Sequence, residues 1–61
     1  MASAAQIYKA HAQWNYSQVP QYLEMAKQAM KEETKERYIN MARRYRDNGD
    51  WYLKHSETME K

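Results

Sequence analysis

Sixty-one residues, with ten Lys or Arg, eight Asp or Glu and no cysteine, leave room for one domain spanning 1–61 and exclude disulfides, thiolate metal sites and thiol catalysis within it. The net charge of +2 falls well short of the basic footprint usual for a nucleic-acid binder. A chain this short buries only roughly 60% of its unfolded surface, so unusually regular helices or self-association must supply the missing stability.

One Gly and one Pro beside six Tyr and two Trp argue against a β-rich or a disordered chain and for an all-α one. The start, Met1-Ala2-Ser3-Ala4-Ala5-Gln6, lacks the charged and apolar regions of a secretory signal. No stretch approaches the ~20 apolar residues of a membrane span. The expectation is a cytoplasmic protein with no membrane partner.

In chain order, the first predicted helix covers about 3–15. Ser3 and Gln6 form a capping-box pair at its start, and Ala4, Ile7, Tyr8, His11 and Trp14 recur at helical spacing. The residues before Pro20 are pushed out of the α region, while Pro20 suits the first turn of a second helix. That helix is expected over about 20–47, rich in strong helix formers, with Glu33 four residues before Arg37 in the favourable orientation. Gly49 stands ready for a left-handed C-cap. Asp50 then caps a third helix over about 51–60, with Asp50 and Lys54 in the same acid-before-base spacing.

The stretch Tyr45-Arg46-Asp47-Asn48-Gly49-Asp50-Trp51-Tyr52 resembles the inter-helix turn of a tetratricopeptide repeat: an aromatic, a Gly four residues on, a Tyr three further. The resemblance covers 45–52 only and implies a helix–turn–helix there, the same local solution rather than membership of that family.

Tyr22-Leu23-Glu24-Met25-Ala26 is echoed by Tyr38-Ile39-Asn40-Met41-Ala42 sixteen residues later. On one straight helix sixteen steps turn the motif by roughly 160°. Either the helix breaks near Glu32–Thr34, or one long helix packs different partners along its two halves. The absence of Gly and Pro there favours the second. The expected architecture is therefore short–long–short, with each short helix folded back on half of the long one. Leu23, Met30, Met41 and Tyr45 are the expected uncovered apolar residues, and an uncovered stripe on so small a chain predicts a homo-oligomer that completes the fold.

Charge concentrates in 34–46, where Lys35, Arg37, Arg43, Arg44 and Arg46 face one acid, Glu36. With Tyr38, Tyr45 and Trp51 they could grip an anion bearing a flat ring, guanidinium on phosphate and aromatic faces on the ring. A Tyr stripe at helical spacing is more often core, and Arg and Lys commonly lay their stems along an apolar seam. His11 and His55 stand alone, without ligand spacing or an acid–base mate. Glu32, Glu33 and Glu36 lack the Glu-x-x-His of a carboxylate metal helix. No Gly-rich loop exists to cradle phosphates. No cofactor and no metal are expected.

The sequence thus reads as a non-enzymatic helical interaction protein, of the inhibitor, adaptor or sequestering kind, which self-associates and binds a protein partner. The alternative is an oligomeric binder of a nucleotide or nucleic acid through its Arg, Lys, Tyr and Trp residues.

Overall fold

A computed structural model describes residues 2–60. The chain is all-α, as expected, but it forms two helices rather than three: α1, Ala4–Gln28, and α2, Glu32–Met59. They run antiparallel as one hairpin, since Tyr8 meets Tyr52 and Tyr22 meets Tyr38 across it.

The first boundary is where the sequence places it. Ser3 is extended (φ −73°, ψ 163°), its Oγ accepts the Gln6 amide at 3.2 Å, and Gln6 Oε1 accepts the Ser3 amide at 3.0 Å. Two orphan donors of the first turn are thereby satisfied.

The other boundaries are corrected. Pro20 does not end a helix; it lies inside α1, on the exposed side. Its missing N–H leaves the Tyr16 carbonyl without an intrahelical donor, a cost of about 3 kcal/mol in a helix interior. Continuity offsets it, because only an unbroken α1 keeps Ala5, Ala12 and Ala26 on one line, all three buried.

Gly49 is no C-cap either. It lies within α2 and no glycine has positive φ. A Cβ at Gly49 would fall 2.7 Å from Tyr16 Cε1 and 2.8 Å from Cδ1. The glycine serves a close approach, as the floor beneath the Tyr16 ring, and not a turn. The tetratricopeptide-like stretch 45–52 is consequently continuous helix, and what was expected as a third helix is the last third of α2.

The real break falls at Ala29–Lys31, just before the segment that the echo flagged. Ala29 (φ −69°, ψ 133°) and Lys31 (φ −100°, ψ 138°) are extended. Lys27 in the last turn of α1 and Glu32 and Glu33 in the first turn of α2 each complement the local helix dipole. That charge reversal marks the turn in place of Gly or Pro.

What closes the hairpin is a seven-residue repeat. Ala5, Ala12, Val19 and Ala26 fall every seventh residue on α1, and Ala42, Gly49 and Ser56 do so on α2. All but the half-buried Val19 are buried. This is coiled-coil periodicity, with side chains small enough to bring two backbones close. Beside the seam runs a second heptad series: Tyr8, Asn15 and Tyr22 on α1, Tyr38, Tyr45 and Tyr52 on α2. The echo is one heptad segment restarted after the turn. Tyr22 and Tyr38 meet at a tilt, ring centres 6.2 Å apart, Leu23 and Ile39 line one groove, and Ala26 and Ala42 are both sealed. The break removes the 160° conflict by giving each copy its own helix.

The Cα frame measures 46 × 18 × 10 Å, a single layer of two helices. Among the described residues only small ones and Asn15 are sealed; Trp14, Trp51, Leu23 and Ile7 stand 57%, 50%, 48% and 46% exposed. No helix among the described residues is long and apolar enough to cross a membrane.

Candidate functional site

A one-layer hairpin has two broad faces, and the heptad positions give them different chemistry. The front carries the aromatic series. Tyr8 lies 5.5 Å edge-on to Tyr52 and 6.0 Å from Trp51. Trp14 meets Tyr45 edge-on at 5.8 Å, and Tyr22 stacks on Tyr45 at 5.3 Å. Trp51 is T-shaped to Tyr52 at 5.1 Å and stacked with His55 at 3.9 Å. Such pairs add about 0.5–1.5 kcal/mol each beyond the area they bury.

Asn15 interrupts this series. It occupies the α1 position that Tyr8 and Tyr22 hold one heptad away, and it is 7% exposed. Its Nδ2 donates to the His11 carbonyl at 2.8 Å. A smaller side chain between larger ones leaves a gap, an open groove of about 440 Å³ lined by His11, Trp14, Asn15, Tyr45, Asn48, Trp51 and Tyr52. A smaller groove of about 200 Å³ adjoins it, sharing Tyr45 and Asn48 and adding Met41 and Arg44.

The back is aliphatic. Val19, Leu23, Ile39 and Ala42 line a shallow groove of about 140 Å³ edged by Arg43 and Arg46. Tyr16 lies on this side, against Gly49, and donates its hydroxyl proton to Asp50 Oδ1. Its phenol is held above the ordinary value of 10.0, first by that hydrogen bond, then by desolvation and by the charges of Asp50 and Glu57. Lys9 and Glu60 pair near the chain ends. The acid-before-base spacings Glu33–Arg37 and Asp50–Lys54 are not among the ion pairs of the described residues, and Asp50 is occupied by Tyr16.

The residues expected to self-associate are divided by this geometry. Leu23 stands on the back, Met41 and Tyr45 on the front, and Met30 is fully exposed at the tip of the turn. The expected anion-binding residues are divided likewise. Arg44 adjoins the ring-lined groove, with Arg37 seven residues before it on the same stripe of the helix. Arg43 and Arg46 edge the back, where Arg46 approaches Asp47 at 3.5 Å. Lys35 is exposed in the second turn of α2. Tyr38 and Tyr45 are half-buried, walls of the front and not members of a sealed core.

The fold brings His11 and His55 to one end of the front, against Tyr52 and Trp51 respectively. His55 Nδ1 lies 2.8 Å from the Trp51 carbonyl, so that nitrogen carries the proton. No group of three or more His, Asp or Glu arranged to hold a metal ion occurs among the described residues.

Sequence reasoning missed Trp14, Asn15 and Asn48 as members of one groove. The signal was the heptad series itself, with Asn at the one place where the α1 spacing calls for Tyr. No protein-family model, curated protein or solved structure matches the chain.

Proposed function

We propose that this protein is a non-enzymatic interaction module, a helical hairpin whose two faces are completed by protein. A second copy covers the aliphatic back, and a partner protein docks on the ring-lined front. The observation that carries the reading is the single layer: a hairpin with Trp14, Trp51, Leu23 and Ile7 about half exposed has no side on which its large apolar groups are buried. Apolar surface of that kind marks an interaction site.

Charge supports the second copy on the back. Along α2, Arg43 and Arg46 lie on the chain-end side of Ile39, and Glu32 and Glu36 on its turn side. A two-fold axis through the apolar centre of Val19, Leu23 and Ile39, laying two backs together antiparallel, carries Arg43 and Arg46 of one copy towards Glu36 and Glu32 of the other. Apolar centre and charged rim are the usual anatomy of an interface.

The competing reading, a grip on a polyanion, draws less support, since Lys35, Arg37, Arg43, Arg44 and Arg46 do not converge on one face. Sedimentation of the full chain tests the proposal. A dimer that Leu23→Glu dissociates while helicity persists is the expected result. A compact monomer at high concentration overturns it.

A further inference from the structure

We infer that the gap at Asn15 is a binding site for a flat nitrogen heterocycle bearing an anionic group, of which a purine nucleotide is the simplest representative. The inference goes beyond protein docking and rests on that reading only in requiring the front to stay uncovered by the second copy.

Four rings, Trp14, Tyr45, Trp51 and Tyr52, line the groove. Ring faces stack any flat π-system, and the volume of about 440 Å³ lies within the range of small-ligand sites. The polar groups then set what the flat ligand carries. Asn15 is buried at 7% exposure, and its Nδ2 is engaged by the His11 carbonyl. Its Oδ1 takes no donor among the described residues, yet it is not sealed off. It is an acceptor with solvent access on a residue that lines the groove, and it calls for a ligand N–H. Asn48, exposed on the opposite helix, adds an amide that makes no side-chain hydrogen bond among the described residues. A side-chain amide offers the donor–acceptor pair that matches the edge of an adenine.

Charge decides between a cationic and an anionic ligand. Ring-lined pockets also hold ammonium and guanidinium groups. Here no carboxylate lines either groove, whereas Arg44 lines the adjoining one across Tyr45 and Asn48. Arg44 pairs with no acid among the described residues. A cation in the groove meets repulsion from Arg44; an anionic substituent leaving the groove over Tyr45 and Asn48 meets an unpaired guanidinium.

Adenosine monophosphate is the probe, titrated into the full chain and followed by tryptophan fluorescence and by amide NMR shifts. Adenosine, inorganic phosphate and N-ethylguanidinium serve as comparison ligands. The expected result is saturable binding in the millimolar range or tighter, one per hairpin, with shifts centred on Asn15, Asn48 and Trp51. Arg44→Met should erase the preference for adenosine monophosphate over adenosine, a change of about tenfold for one charge contact. Asn15→Tyr should restore the aromatic series, fill the groove and abolish binding with helicity intact, and Trp51→Ala provides a second loss variant should Asn15→Tyr fold poorly. Leu23→Glu, on the back, should leave binding unchanged while it alters sedimentation, so failure of the ligand site and failure of self-association are read separately. No saturable shift, tighter binding of N-ethylguanidinium, or unchanged binding in both loss variants overturns the inference.

Discussion

The two faces of the hairpin are cut from the same heptads and differ in side-chain reach. On the back, Val19, Leu23 and Ile39 make an aliphatic surface with one small groove. On the front, rings stand up from the seam and stack on one another across it, and one missing ring leaves a groove about three times larger, about 440 against 140 Å³. The back is suited to a flat copy of itself. The front is suited to something that inserts. In a one-layer protein, specialisation of this kind needs only a choice of side chain at positions on either side of a common seam.

The sharpest way to break the comparison is to charge the back alone. Leu23→Glu forfeits roughly 1.5–3 kcal/mol of side-chain burial, so self-association should weaken by about tenfold to a hundredfold in sedimentation. Trp51→Ala, on the front, should leave the self-association constant as it was. Equal loss from both variants would mean that one face does both jobs.

Next comes the seam that the faces share. Ala42 is 2% exposed, and Ala42→Leu should destabilise the hairpin by about 1–3 kcal/mol through overpacking, read by urea denaturation. A neutral effect would mean that the helices are not in close contact there.

Smaller is the swing at Gly49. Replacing a mid-helix glycine by alanine gains about 1 kcal/mol, but here the new methyl strikes the Tyr16 ring. Gly49→Ala should therefore stabilise the protein only when Tyr16 is already alanine, and a double-mutant cycle checks it.

The smallest effect is alkaline. Tyr16 has a raised folded-state pKa, so the proton it holds stabilises the fold fully below pH 10, the unfolded value. That contribution is lost as pH rises through the folded value. Tyr16→Phe should flatten the fall in melting temperature above pH 10; an unchanged slope would remove Tyr16 from the account.

How far the sequence speaks for this fold depends on the residue. Ser3 and Gln6 state the first boundary without ambiguity, because capping is local chemistry. Pro20 and Gly49 mislead for the same reason: their local preferences are real, and tertiary packing overrides both. Pro20 turns its ring outward and is tolerated. Gly49 is selected for the absence of a side chain under Tyr16, a partner thirty-three residues away in the chain. The turn at Ala29–Lys31 carries only a weak mark, Lys27 facing Glu32 and Glu33, whereas the echo of Tyr22–Ala26 in Tyr38–Ala42 already contained the hairpin. Of the site, Tyr45, Trp51 and Arg44 were legible as individual residues. Their grouping with Asn15 was not, since it depends on which α1 layer each α2 layer meets.

Ala29, Met30 and Lys31, which form the turn, are all good helix formers. Nothing in their backbone preferences opposes straightening, and α1 and α2 would then run on as one rod. Two such rods laid antiparallel would remake every seam layer between chains, Ala against Ala and Tyr16 over the other chain's glycine. The high effective concentration of α2 beside its own α1 favours the closed form. A hinge built from such residues is the setting in which protomers exchange arms, so crowding such chains together trades an intramolecular fold for an intertwined one with the same contacts.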